Sequence, residues 1–550
     1  VADTLHCSNH LVRPLTKLIA QKPQGNPFFT TQFLKALYEE GLIVFNQDHR
    51  HWECDIVAVK ARSLSDDVIE FMALQLQKLP KETQQILNLA ACIGNQFDLQ
   101  TLAVVSEQSP SDAATALWKA LQEGLILPTS QVYKFFQERE TTATDGANSG
   151  YRFLHDRVQQ AAYCLIPERE RIIAHYQIGK LLLPKLLPSS SAEQTFKVVN
   201  HWNIALELVH DSDEKAQLAN LNWLAGCKAK ASVAYEPALQ YFKTGIDLLP
   251  SNCWQMQSEL AQKLYEGGIK AAFLCGDYLQ MDAWAEHALQ QNSTLLAKIK
   301  IYDVQIQAQM AKGKPAMAIQ IALDALKLLE ITFPESPTPD NIEAELQRTK
   351  ALWEQRNISE LIDLPLMSDP EKISAIVILS SIFAPSFIGK PEILPFIACK
   401  QVQLSIQHGN CAHSAFGYSN YSAILNTLCH DLESSYQFGR LAIYLVEKLN
   451  DSEVKARTFN QSAIFSMHGK VHLRETLPIL QEGCRSGMAS GDLEFAGYAA
   501  YNWSQYSYFS GLNLRELQQG ANTYGTLLSQ INQKISLSYK QLVYDVALIF

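Results

Sequence analysis

The sequence predicts a mainly α-helical chain built as a small helical unit, a winged-helix domain with a short β ribbon, and a long α-solenoid. Three observations predict this class. Apolar residues recur at helical spacing through most of the 550 residues. Extended runs are confined to 42–56 and 125–153. Beyond about Leu187, small residues and aromatics return with a repeat period.

Length alone demands several units, because single cores stop growing near about 250–300 residues. At 47% hydrophobic and 19% charged, the chain has ordinary globular composition. Its 46 basic and 56 acidic side chains include no dense basic run, which argues against nucleic acid. The 11 cysteines form no Cys-x-x-Cys, so buried thiols in a reducing, cytoplasmic setting are expected. Ile376 to Ile388, the most apolar stretch, contains Pro385 and is shorter than the roughly 18–20 apolar residues of a membrane span. The chain starts at Val1 and stops at Leu548-Ile549-Phe550 inside an apolar helical pattern, so a longer natural protein is expected.

The first unit, residues 1–60, carries Leu15, Leu18 and Ile19, then Phe29, Phe33, Leu34 and Leu37, on two helices. Gly25-Asn26-Pro27 breaks them, since proline suits the first turn of a helix. Gly41 ends the second, and Leu42 to Ile56 predicts a hairpin. In the second unit, 61–187, Ser65 and Asp66 cap a helix through Leu76, and Pro80 separates it from one that Gly94 stops. Helices from Leu99 to Val105 and from Asp112 to Glu123 follow, the latter capped by Ser111 or Asp112. Leu125–Leu127, Val132–Phe136 and Tyr151–Phe153 then predict the strands of a wing around a polar insert.

In the third unit, 188–550, the clearest period is Gly226, Tyr235, Ala238, Phe242, Gly245, Pro250. Those offsets resemble the tetratricopeptide helix pair, where small residues let two helices approach and an aromatic fills the groove between them. Gly276 with Ala285 and Ala288, and Gly313 with Ala318, Ala322 and Ala325, repeat the signal. Weaker copies surround 431–442, 469–480 and 511–520. Glycine-to-glycine spacings of about 37 to 42 exceed the usual 34, so irregular loops such as Phe333–Pro339 must interrupt the stack.

No Gly-x-x-x-x-Gly-Lys-[Ser/Thr] occurs, so this chain alone should not hydrolyse ATP. Two short motifs remain. Pro27, at a helix start, offers an apolar ring face to a base, or is simply part of a helix-breaking turn. At Phe153-Leu154-His155-Asp156 the last wing strand becomes a helix, which Asp156 can cap while His155 donates to a phosphate. The plain alternative is a capping aspartate beside a packed histidine. His468 and His472 lie four apart with no matching ligand set, so no metal site is expected, and no catalytic constellation stands out.

Gly25–Leu34, Leu89–Gly94 and Tyr151–Tyr163 closely resemble one family: large, mainly cyanobacterial hybrid kinases. These join a serine/threonine kinase, a STAND-class (AAA-type) signalling ATPase, helical repeats, and sensor and histidine kinase domains. The resemblance implies that the first unit is an ATPase lid whose Pro27 contacts adenine. It also implies that His155 reaches the diphosphate of bound ADP, with Asp156 holding it. ATP or ADP would then belong to the parent protein, which would be the kinase, and the chain alone would need no cofactor. Its partners would be upstream ATPase and kinase domains, downstream sensor and histidine kinase domains, and a protein ligand on the repeats. Leu154 replaces a methionine of related versions, and the phosphate loop and acidic metal-binding strand are absent.

A winged helix also suits DNA, but residues 65–170 hold 14 acidic against 8 basic side chains, which opposes phosphate attraction. Two alternatives stay open: a passive repeat scaffold, and part of a STAND-type transcription activator.

Overall fold

The computed structural model describes residues 12–545 except 18–25, 48–50, 62–67, 130–149, 187–190, 292–293, 532–535, 539 and 542–544. Two compact units divide at Leu218/Ala219.

In the first unit, Asn26 caps the helix Pro27–Glu39: its Oδ1 accepts from Phe28 N at 3.0 Å, and Pro27 occupies the first turn. Phe29, Phe33, Ala36 and Leu37 form its buried stripe. Strands β1 (Ile43–Asn46) and β2 (His51–Cys54) then pair antiparallel, Ile43 opposite Cys54. Ile56, read as part of the hairpin, instead opens the short helix Ile56–Ala61. Helices Lys81–Ile93, Leu99–Val105 and Pro110–Gln122 follow, and the first of them ends at Gly94 with φ 138°. Their three-stranded sheet has β3 (Gln96–Asp98) and β4 (Ile126–Pro128) flanking β5 (Gly150–Phe153), all antiparallel. This is the expected winged helix.

Three details depart from the sequence reading. The cap of Pro110–Gln122 is Ser109, not Ser111 or Asp112; its Oγ accepts from Asp112 N because Pro110 begins the helix earlier. Strand β3 went unpredicted, since three residues with one buried phenylalanine, Phe97, show no period. Val132–Phe136, Ser65, Asp66 and Gly25 lie outside the described residues.

Helices Asp156–Cys164, Glu168–Leu182 and Ala192–Ile204 close the first unit. Tyr163 Oη lies 3.0 Å from His175 Nε2, and His175 Nδ1 lies 2.7 Å from His201 Nδ1. Both imidazoles are buried, at 3% and 7% exposure. One ring must donate and the other accept, so each fixes the other's tautomer.

The second unit is a stack of antiparallel helix pairs. The end of Ser212–Ala231 packs with Tyr235–Asp247, and a Cβ at Gly226 would stand 2.8 Å from the Phe242 ring, with Gly267 crowded still more closely by it. Bare glycine surfaces thus seat the aromatic between helices, as the period predicts. Pairs continue through Ser258–Cys275 with Tyr278–Gln290, Leu295–Ala311 with Pro315–Leu328, and Pro370–Gly389 with Leu394–His408. Then come Ala412–Thr427 with Leu432–Leu449, Lys455–Phe465 with Leu473–Ser490, and Leu493–Phe509 with Leu514–Gln530. The array returns on itself: a Cβ at Gly491 would lie 3.0 Å from Tyr235 Oη.

Pro370–Gly389 corrects the reading of the apolar stretch as too short. It is a 20-residue helix of mean hydropathy 1.7, long and apolar enough to cross a membrane by those measures alone. Pro385 stays inside it, in the last turns, where little ladder remains to lose. Here Ile376, Ile378, Leu379 and Ile382 are wholly buried in the repeat core.

Between the third and fourth of these pairs, residues 351–369 are largely irregular, and Asn410 pins them. Its backbone N donates to Pro365 O and its carbonyl accepts from Met367 N, both at 2.8 Å. Its side chain donates to Leu361 O at 2.7 Å and accepts from Tyr418 Oη at 2.9 Å.

Candidate functional site

Two helix starts 129 residues apart in sequence meet in the first unit. One is Asn26-Pro27; the other is His155, set where β5 ends and the helix Asp156–Cys164 begins. His155 itself, not Asp156, is the cap: its Nδ1 accepts from Arg157 N at 3.2 Å. The expected cap shifts by one residue because the extended backbone of the wing continues through position 155 (φ −148°, ψ 144°).

Asp156 occupies the first helical position, where an acid suits the dipole. It receives Asn95 Nδ2 on Oδ1 at 2.8 Å. The bond that orients His155 is its own cap, so the expectation that Asp156 holds the ring is not what the geometry displays. Phe29 meets that ring edge-on at 4.7 Å between centroids, and Phe28 lies nearly parallel at 6.4 Å. Pro27 is exposed beside them.

Capping fixes the tautomer. An Nδ1 that accepts a backbone N–H carries no proton, so the neutral ring is protonated on Nε2. Asn26 Nδ2 lies 3.5 Å from that Nε2, while Asn26 Oδ1 is committed to Phe28 N. Two N–H donors therefore face one another and cannot satisfy each other; an acceptor oxygen placed against both would be held by a donor pair.

Supporting contacts fix both helix starts. Gln159 Nε2 donates to Ala91 O at 3.0 Å, and Leu154 N to Leu125 O at 3.0 Å. Gln32 Nε2 donates to Glu123 O at 3.2 Å, and the Glu123 carboxylate takes both Lys35 and Lys119. Hydrogen bonds from those lysines, Lys35 foremost, hold its carboxyl below the usual range. Glu123→Ala is expected to loosen the helix Pro27–Glu39 by about 1 kcal/mol, these ions being partly exposed. Hydrogen exchange across residues 27–39 should quicken and lose its salt sensitivity; unchanged exchange would count against this docking.

Asn26 and Asn95 were missed as functional candidates. Asn before Pro at a helix start is a legible cap, but only the fold reveals that its second amide atom faces a histidine. His472 proves to be a helix cap and His468 packs against Tyr506, and among the described residues no cluster could hold a metal.

No protein-family model matches the chain. It is 25% identical to hybrid signal transduction histidine kinase G of Dictyostelium discoideum over an alignment of 616 residues, covering 96% of this chain and 17% of that protein. It is 22% identical over 257 residues to the peroxide stress-activated histidine kinase mak3 of Schizosaccharomyces pombe, covering 46% of this chain and 10% of that protein. The chain thus spans about a sixth of the first kinase and a tenth of the second. Among solved structures, a STAND protein with a tetratricopeptide repeat sensor from Pyrococcus horikoshii matches at TM-score 0.38 and 10% identity, covering 96% of this chain and 67% of that one.

Proposed function

We propose that this chain is a regulatory segment of a larger signal-transduction kinase, in which the site around Asn26, Pro27 and His155 senses a nucleoside diphosphate bound to an ATPase core elsewhere in the protein. The facing donors Asn26 Nδ2 and His155 Nε2 carry the proposal. A phosphate oxygen would satisfy both, and Pro27 would offer its ring to adenine. Asp156 contributes through the helix start and Asn95 rather than by gripping the ring. Alignment of nearly the whole chain with a hybrid signal transduction histidine kinase supports the setting. The serine/threonine kinase partner, the downstream histidine kinase and a cytoplasmic location belong to the same proposal.

With ADP bound, the two helix starts would be held together and the unit closed. A partner on the repeats would favour the open form only through its differential affinity for that state. In the full-length protein, His155→Ala is expected to weaken ADP binding at least about tenfold and to raise basal signalling. Unchanged ADP affinity and signalling would leave His155 a helix cap and the repeats a passive scaffold.

A further inference from the structure

The interior of the repeat unit carries charge that the fold pairs only in part. Lys270, Asp303, Ser381, His413, Arg457 and Glu494 stand on the first helices of six consecutive pairs. All six remain partly reached by solvent, whereas Ile269, Ile306, Phe416, Ala456 and Ala496 on the same helices are sealed. Because the array returns on itself, Asp303, Glu453, Arg457 and Asp492 all lie within electrostatic reach of Lys270.

The bonds made there are incomplete. Arg457 rests over the Phe416 and Phe495 rings, at 5.6 and 5.2 Å, and gives its Nε to Asp492 at 2.9 Å. Among the described residues nothing bonds its outer Nη pair. Lys270 Nζ, despite the carboxylates near it, donates to a neutral amide, Gln307 Oε1, at 2.8 Å. Asp303 is occupied by Ser381 and Gln307. Among the described residues Glu494 accepts one hydrogen bond, from the Tyr498 hydroxyl at 3.0 Å. Burial, helped by Asp492, pushes its carboxyl up to about 7, against the opposing pull of the Tyr498 hydroxyl and of Arg457. His413 Nδ1 is buried and finds no hydrogen-bond partner among the described residues.

Arg457 has its partner in Asp492, but among the described residues Lys270 and Glu494 touch no opposite charge, and a buried charge left so costs stability unless something completes it. A simple anion would be repelled by Asp303, Asp492 and Glu453, and a simple cation by Lys270 and Arg457. We propose that this interior binds a small zwitterion, an α-amino acid, with its carboxylate on the Arg457 fork and Lys270 and its ammonium on Glu494. The proposal rests on the sensing role given above to the repeats and names the chemistry they sense.

Isothermal titration calorimetry of the whole chain with the common L-amino acids, singly, tests it. At least one is expected to bind with a Kd below about 1 mM, and its counterparts lacking the amine or the acid at least about tenfold more weakly. Glu494→Gln, which keeps the Tyr498 contact, and Arg457→Lys, which keeps charge but loses the fork, should each weaken binding about tenfold with unchanged circular dichroism. The proposal falls if no amino acid binds at about 10 mM, or if Glu494→Gln binds as well as the native chain. No nucleotide enters this experiment, so its failure leaves the His155 switch standing. Failure of the switch likewise leaves amino-acid binding intact.

Discussion

Acidification is expected to weaken the first unit well before its carboxylates are neutralised. Burial holds His175 down to about 4, with Arg171 adding to it, and holds His201 down to about 3, with His175 and Lys197 contributing. The folded values are depressed, so the stabilisation is fully present above the unfolded value near 6.5. It is lost as pH falls from there towards 4 and then 3. His175 alone accounts for about 3 kcal/mol across that window, on the general scale of 1.36 kcal/mol per pH unit. Urea unfolding of the chain at pH 7.5 and pH 5 should differ by about 4 kcal/mol more than in a His175→Gln, His201→Gln chain, about 2 kcal/mol from each imidazole. Equal differences in the two would sink the prediction. Tyr163→Phe, which keeps both imidazoles, should retain the pH dependence while losing about 1 kcal/mol overall.

Gly409→Ala is expected to undo the middle of the repeat unit. Position 409 has φ 100°, outside the comfortable range of any L side chain, and a Cβ there would collide with the Pro365 carbonyl and approach Met367 N to 3.1 Å. Both obstacles are backbone, so neither can swing away. The collision would also pull Asn410 from its four partners, exposing the strap 351–369 and the buried Ile358, Leu361 and Met367 beneath it. A loss of about 3 kcal/mol or more follows. Asn410→Ala, which removes only the side-chain pair of bonds, should cost about 2 kcal/mol. Chemical denaturation followed by circular dichroism measures both. A Gly409→Ala chain within about 1 kcal/mol of the native one would show that the strap is not anchored there.

The helical class, the hairpin, the wing and the repeats were legible because each has a period or a breaker: Pro27 opening its helix, Gly94 after Ile93, Gly226 against Phe242. Features made by distant residues were not. Asp98 and Phe97 give no strand period, yet β3 pairs with β5 more than fifty positions later. His175 and His201 sit on separate helices as ordinary core histidines, and no spacing in the sequence announces their contact. At the candidate site, Pro27 and His155 were nameable because each marks a turn. That Asn26 faces His155, and that the ring rather than Asp156 caps its helix, depends on how the wing delivers position 155.

The approach of Gly491 to Tyr235 carries a kinetic consequence. These residues are 256 positions apart (491 − 235), and the contact forms only after every intervening pair has stacked. An open array of helix pairs gains each neighbour locally and can fray from either end. Here the last closure spans about half the chain, so its entropic toll falls late in assembly, and folding of the second unit should be slow for an all-helical protein. Once shut, the array exposes no loose end to unzip at that seam, and removing a single pair would break the seam as well as the stack.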